Sequence, residues 1–315
     1  MKRLSAKRIS RDLCLLLVIS GLLSLSVAPA VVGHAAVYAE DAGDGQDQGS
    51  GEEPGGEDPQ EPEQPEEPEP EILNGWQTIG GKVYYYKDNV KLTGWQSLDG
   101  HQYYFNGNGE RISGVAMIGS YRYYFDENGI QRKGTITTSR VIYYSNQTTG
   151  RLTGLRLRVK ALKQRPKLPA GCEIVSWTMM ANYAGIMINK MAAARAMPRS
   201  SNPNKGFIGT PYRLGGRGQV VWPKGLVKFT RKYFGSAVNM TGCSYATLQN
   251  KLWQGHVVMA WVRPLDGFSS HTVAVVGFDS KKVYYCDPWK GKLRSMKKKT
   301  FMKKWKKHKR RALSW

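Results

Sequence analysis

The stretch Leu168-Pro169-Ala170-Gly171-Cys172-Glu173-Ile174-Val175-Ser176 carries a cysteine directly after a Pro/Gly turn. Cys172 opens an apolar, helix-like run that continues through Trp177, Met179, Met180 and Tyr183 to Gly185. The spacing places the thiol at or near a helix N-terminus. Unpaired backbone N–H groups and the positive end of the helix dipole there favour thiolate, the nucleophilic form. The other reading is a small buried apolar residue starting a core helix. A thiolate nucleophile needs a base, and the base an orienting group. Between 155 and 315 the histidines are His256, His271 and His308, the last in a Lys/Arg-rich tail. His271 opens one apolar run, and Asp287 ends the next at Cys286-Asp287-Pro288. If the two runs pair as a hairpin, His271 and Asp287 become neighbours although sixteen residues separate them. Taken singly, each is an ordinary strand-end or turn residue. A metal site from Cys172, His256, His271, Cys286 and Asp287 is the weaker reading, because no Cys-x-x-Cys or His-x-x-x-His pair occurs.

The elements that position these groups follow from pattern. Leu155-Arg156-Leu157-Arg158-Val159 alternates as a half-buried strand. Helices are expected from Cys172, over Ile188 to Met197, Gly225 to Tyr233 and Tyr245 to Trp253, with a Gly/Pro/Asn loop over Ser201 to Pro211. Three strands follow, Val257 to Val262, His271 to Phe278 and Lys282 to Cys286. Thr300 is placed to N-cap a final helix with Phe301 and Trp305 on one face. Helices first and a sheet afterwards predict an α+β domain.

An ordered set of motifs spans 155–315: Gln164, Leu168-Pro169-x-Gly171-Cys172-Glu173-x-x-Ser176-x-x-Met179, and Asn202-Pro203-Asn204-x-Gly206-Phe207-x-Gly209-x-Pro211. Gly255-His256-x-Val258, His271-x-Val273-x-Val275-x-Gly277-Phe278-Asp279 and Val283-Tyr284-Tyr285-Cys286-Asp287-Pro288 complete it. The set resembles the bacteriocin-processing-like branch of papain-like cysteine peptidases, family thirty-nine of that class. The resemblance implies Cys172 as nucleophile, His271 as general base and acid, Asp287 as orienter, and Gln164 as oxyanion donor with the Cys172 backbone N–H. Two departures stand out: a short loop before His271, and a second thiol, Cys286, beside Asp287. Relatives that process double-glycine leaders are fused to transporter membrane domains, so leader processing is not implied here.

The 315-residue chain carries a net charge of +23, unevenly distributed. Fourteen of its 24 acids lie between Glu40 and Glu71, a stretch without Lys or Arg. From Leu155 onward 33 Lys and Arg face four acids, a balance of +29 that calls for a polyanionic partner. Lys2, Arg3, Lys7, Arg8 and Arg11 precede an apolar run from Leu13 to Val27, with small residues at Ala28-Pro29-Ala30 or Val37-Tyr38-Ala39 to cut at. Residues 1–39 therefore read as a secretory signal, an uncleaved anchor being the other reading. Export makes an envelope polymer the expected polyanion rather than nucleic acid. Residues 40–71, rich in Glu, Pro and Gly, are expected to be a disordered, extended linker. Outside the signal the cysteines are Cys172, Cys243 and Cys286. An odd number leaves at least one free thiol, and a Cys243–Cys286 bridge stays open.

Residues 72–154 repeat. Gly75, Gly94, Gly114, Gly134 and Gly154 are spaced by 19, 20, 20 and 20 residues. Each unit carries an aromatic cluster, such as Tyr84-Tyr85-Tyr86 or Tyr103-Tyr104-Phe105, followed by a turn such as Asn106-Gly107-Asn108-Gly109. Aromatic β-formers followed by Asn-Gly predict hairpins, and the fixed period predicts an all-β hairpin-repeat solenoid. Gly75-Trp76 and Gly94-Trp95 with these clusters resemble the choline-binding-type cell-wall repeat. In that family a quaternary ammonium sits in an aromatic cage. Here Val83, Gln102, Arg122 and Ile142 stand where the family has Trp before Tyr-Tyr, and Val115, Thr135 and Leu155 replace the later Gly-Trp tryptophans. A cage is thus limited to Trp76 and Trp95 with Tyr84, Tyr103 or Tyr104. The alternative is that these aromatics only pack the repeats.

Together these readings predict an exported, cell-wall-associated cysteine peptidase with a papain-like α+β domain behind wall-binding repeats. Its partners are a peptide or protein substrate and a bacterial wall polymer (teichoic acid, choline or glycan), with no nucleic acid, no cofactor and a monomeric state. The alternative is a wall-binding scaffold whose papain-like domain is inactive.

Overall fold

The computed structural model describes residues 72–215 and 219–315. The expected signal and linker, 1–39 and 40–71, lie outside the described residues. The repeat region forms short antiparallel hairpins: β1 (Gly75–Ile79) with β2 (Lys82–Lys87) and β3 (Val90–Lys91), β4 (Gly94–Leu98) with β5 (His101–Phe105), and β6 (Gly114–Ile118) with β7 (Tyr121–Phe125). The tight turns precede the aromatics instead of following them. Asp99 and Gly100 both take positive φ, +51° and +76°, as a two-residue primed turn demands. The Asn106–Gly109 stretch does something else. The Asn106 side chain accepts from the backbone N–H of Asn108 and Glu110, and the ladder shrinks to one bridge, Phe105 with Arg111. Successive units are tied by backbone bonds, Arg111 N–H to the Val83 carbonyl and Gln131 N–H to that of Gln102. They are also tied by rings: Trp76 packs on Tyr103 and Phe105, and Trp95 on Tyr123 and Phe125.

The last repeat behaves differently. Its strands β8 (Thr135–Thr137) and β9 (Val141–Ser145) pair with β10 (Leu152–Leu157), which pairs with a strand from the far C-terminal part. Tyr143 stacks on Trp253, and Tyr144 on Tyr284. Val115 offers no tryptophan to the next unit; Tyr143, half-buried, packs instead on Tyr124 of the preceding unit as well as on Trp253.

The C-terminal part contains α1 (Cys172–Tyr183), α2 (Lys190–Ala196), α3 (Pro223–Phe234), β11 (Val238–Asn239) and α4 (Tyr245–Trp253). Then come β12 (Val258–Val262), β13 (His271–Phe278), β14 (Lys282–Asp287), β15 (Lys292–Lys297), α5 (Lys298–Lys307) and β16 (Ala312–Ser314). Nine strands make one sheet in the order β11-β16-β12-β13-β10-β9-β8, with β14 and β15 continuing from β13. Every residue of β12 and β13 is buried, consistent with their unbroken apolar runs. The eight-residue β13 pairs with β12 over His271 to Val275 and with β10 at Gly277 and Phe278. Only glycine fits there: a Cβ on Gly277 would lie 2.3 Å from the Leu155 carbonyl oxygen. Helix α1 lies against β12 and β13, and Ser176 Oγ donates to the Thr272 carbonyl at 3.0 Å. α5 starts two residues before the expected Thr300 cap, directly after β15 and with no side-chain cap; Phe301 and Trp305 are both buried on its inner face. Cys172, Cys243 and Cys286 are free thiols, so no Cys243–Cys286 bridge forms.

Candidate active site

Helix α1 begins at Cys172 itself, with Gly171 at the N-cap. A Cβ on Gly171 would stand 2.9 Å from Leu168 Cβ, so the turn that delivers the cysteine needs glycine. The partly exposed Cys172 lines a cavity of about 390 Å³ together with Gln164, Trp222, Phe268, Ser270 and His271. His271 enters from the start of β13 and Asp287 from the end of β14. The register that sets Ala274 opposite Cys286 brings them together. His271 Nε2 lies 3.0 Å from Asp287 Oδ1, both side chains being buried. This bond leaves the ring's Nδ1 free of the carboxylate. Phe268 stacks on the imidazole with ring centroids 5.3 Å apart, and Trp289 meets Phe268 edge-on.

Asp287 is saturated with donors. Besides His271 it accepts the Trp289 backbone N–H at 2.9 Å and Arg294 Nη1 at 2.6 Å. Arg294, opposite Tyr285 in the β14–β15 ladder, also pairs with Asp266. Burial alone would push the Asp287 carboxyl up; the His271 and Arg294 bonds overcome it and hold the group well below the usual carboxylate range. It is an anion throughout the neutral range.

Gln164 is anchored at both ends. Its backbone N–H donates to the Pro288 carbonyl, next to Asp287, and its Nε2 donates to the Pro169 carbonyl at 2.6 Å. The second Nε2 hydrogen is not used by that bond. Gln164 Oε1 is buried with no protein partner.

The thiol departs from expectation. Cys172 Sγ donates to Glu173 Oε2 at 3.2 Å. Burial, then the Glu173 carboxylate, push the thiol well above its ordinary range, while the Thr272 backbone N–H pulls the other way. The helix end is outweighed in this resting arrangement. Of these two causes, the Glu173 contact is the one that a substitution can remove. Burial also raises Glu173 itself, to about 7, against the bonds it accepts from Cys172, Val221 and Trp261.

The other histidines stand elsewhere. His256 stacks on Trp315 and bonds its carbonyl oxygen. His308, read from sequence as part of a charged tail, is buried: its Nε2 lies 2.8 Å from Ser270 Oγ, and burial with Arg311 and Arg263 lowers it to about 4. Among the described residues no group of three or more His, Cys, Asp or Glu converges as for a metal. Cys286 is buried and pushed up to about 12 by that burial, an inert thiol beside the pair.

The repeat aromatics divide. Trp76 and Trp95 remain 38% and 39% exposed, whereas Tyr84 and Tyr103 are buried and Tyr104 is half-buried. Trp76 lies 5.0 Å from Tyr103, and Trp95 lies 5.3 Å from Tyr104. Internal cations already sit on some of these faces. Lys91 Nζ is 4.3 Å from the Tyr84 ring, and the Arg111 guanidinium is 5.8 Å from that of Trp76.

Sequence reasoning missed Arg294, Phe268 and Trp289. Glu173 carried a signal, an acid in the first helical turn, but not its burial against the thiol.

Residues 74–89 and 93–110 match the family described as "Putative cell wall binding repeat". Among solved structures, a "putative C39-like peptidase from Bacillus anthracis" is 28% identical with a TM-score of 0.47, covering 50% of this chain and 94% of that one. Choline binding protein F from Streptococcus pneumoniae, solved with a peptidoglycan analogue, is 32% identical with a TM-score of 0.24. That match covers 25% of this chain and 27% of that one. The uncharacterized protein YvpB of Bacillus subtilis (strain 168) is 30% identical over 171 residues, 45% of this chain and 67% of YvpB. Residues 156–313, half of the sequence, match the Peptidase_C39 like family, and the chain belongs to it.

Proposed function

We propose that this protein is an exported cysteine peptidase, held at the bacterial cell wall by its repeats, that hydrolyses peptide bonds with Cys172, His271, Asp287 and Gln164. On this reading the C-terminal part is a papain-like domain and the hairpins are the solenoid that binds wall polymer. The observation that carries it is the buried His271–Asp287 pair on a cavity that Cys172 and Gln164 also line. His271 Nδ1 takes the thiol proton, and the sulfur attacks the substrate carbonyl carbon. The carbonyl oxygen becomes an oxyanion, accepting from the Cys172 backbone N–H and the spare Gln164 N–H. The imidazolium is stabilised by Asp287 and returns its proton to the leaving amine as the C–N bond breaks. Water then attacks the thioester, giving its proton to His271, and the C–S bond breaks. Arg294 is a positioning residue that keeps Asp287 ionised and fixed.

The inactive-scaffold reading is favoured by one observation, the thiol's hydrogen bond to Glu173. One experiment separates the two: hydrolysis of a peptide library by the full chain and by Cys172→Ala. Cleavage lost in a variant that keeps its melting temperature supports the peptidase. Undiminished cleavage by Cys172→Ala overturns it.

A further inference from the structure

Among the described residues Arg294 is the one Lys or Arg beyond 155 that pairs with a carboxylate. The four acids of that part are already engaged: Glu173 and Asp287 are buried, Asp266 is on Arg294, and Asp279 is held by Tyr284 and the backbone of Lys281 and Lys282. Part of the uncompensated charge lines one groove. A concavity of about 630 Å³ and one of about 390 Å³ share Leu162, Asn182 and Met187. A third, of about 420 Å³, continues through Arg158 and Lys160. Their walls carry Arg140, Arg156, Arg158, Lys160, Lys163, Arg165 and Lys190, and no Asp or Glu.

Three of these cations are fixed by main-chain carbonyls. Arg140 Nη2 donates to Tyr183 O at 2.8 Å, Arg158 Nη1 to Thr138 O at 2.9 Å, and Lys190 Nζ to the carbonyls of Lys163 and Gln164. A carbonyl orients a cation without cancelling its charge. The floor between them is apolar, formed by Leu162, Met179 and a Met187 that is 86% exposed. Arg140 comes from the last repeat, so that end of the groove is built by β8 and β9 joining the C-terminal sheet.

We propose that this groove binds a linear polyol-phosphate polymer, its phosphodiesters on the cations and its carbon spacers on the Leu162–Met187 floor. Repeating single charges separated by short uncharged links suit an extended groove of spaced cations over an apolar strip. The inference rests on the wall-association reading for the source of its ligand. Any occupant lies behind the segment that carries Gln164 to the cavity, since Lys163 and Gln164 are adjacent.

The test is binding of a short labelled poly(glycerol phosphate) to the full chain, followed by anisotropy across a salt series. Lys160→Glu/Lys163→Glu, both exposed, should weaken binding by about tenfold or more and flatten the slope of log Kd against log salt. Lys303→Glu/Lys307→Glu on α5 makes the same change in net charge and should cost less than about twofold. Arg140→Gln removes the charge together with the guanidinium's contact on the Tyr183 ring, 4.9 Å away; it should weaken binding in a chain that still folds, read as a retained cooperative melting transition. Equal losses in the groove and α5 pairs, or none in the groove variants, overturn the proposal. So does groove-dependent binding to phosphatidylglycerol vesicles with no binding to the polymer. Sedimentation with purified walls keeps the two readings apart. A chain that sediments while its groove variants bind polymer normally refutes the groove alone. Groove-dependent polymer binding without sedimentation refutes wall association alone.

Discussion

Glu173 ties stability to nucleophilicity through one carboxyl. Its folded value near 7 exceeds the ordinary 4.5, so the unfolded chain releases this proton first. Its contribution to stability is therefore complete below about pH 4.5 and falls as pH rises toward 7, by at most about 3 kcal/mol. Asp287 runs the other way: its folded value is depressed, so its contribution is present above the unfolded value and lost as pH falls below about 4. Glu173→Gln should remove the first effect, so its melting temperature gains on the parent between pH 5 and 8. The same variant removes the charge that raises Cys172, and alkylation of that thiol should move to lower pH. An unchanged alkylation profile would refute the coupling. Around the thiol the proposed roles make graded predictions. His271→Ala should match Cys172→Ala in lost turnover, whereas Asp287→Asn should retain measurable activity. Gln164→Ala should cost on the order of 10²–10³ in kcat. Wild-type turnover in the glutamine variant would remove it from the oxyanion site.

At the scale of elements, the crossing of β10 over β13 is the tightest point in the fold. Gly277→Ala sets a Cβ against backbone that has nowhere to go, 2.3 Å from the Leu155 oxygen. It should destabilise the protein by about 1–3 kcal/mol or more, read as a lowered denaturation midpoint, although the residue lies outside the cavity that Cys172 lines. A midpoint within error of the parent would mean the strands part easily. The strands around this crossing were legible in sequence because β12, β13 and β14 are apolar, β-branched and bounded by Gly, Asp or Pro. Their pairing as a hairpin is what makes His271 and Asp287 readable together. β15, Lys-Leu-Arg-Ser-Met-Lys, was not legible, because its pattern is that of a charged loop until β14 supplies a partner. Arg294 was hidden for the same reason: among 33 cations, sequence does not distinguish the one that meets a carboxylate. His308 was misread because its neighbours are lysines, while its own side chain faces inward to Ser270. The helix-end argument at Cys172 was sound for the backbone but had no access to where the Glu173 carboxylate would lie.

For the whole molecule, charge and aromatics predict two modes of retention on walls. Raising salt to about 0.5 M shortens screening to a few ångströms and should release most of the binding that the cations provide. The fraction retained should depend on Trp76 and Trp95, and Trp76→Ala/Trp95→Ala should lose it. Choline should displace that fraction only if the ammonium outcompetes Lys91 and Arg111 for the rings they already face. Complete release of the parent chain by salt would leave the repeats without a binding role. One feature of the fold bears on all of this. The last hairpin is not a tether to the C-terminal sheet but part of it, through β8, β9, β10 and β13. A swivel between anchor and blade is therefore missing at that joint, and a peptidase held by its repeats would cut at a set height and angle from its point of attachment. Its choice of bond would then be partly a matter of reach, selecting by position among chemically similar peptides.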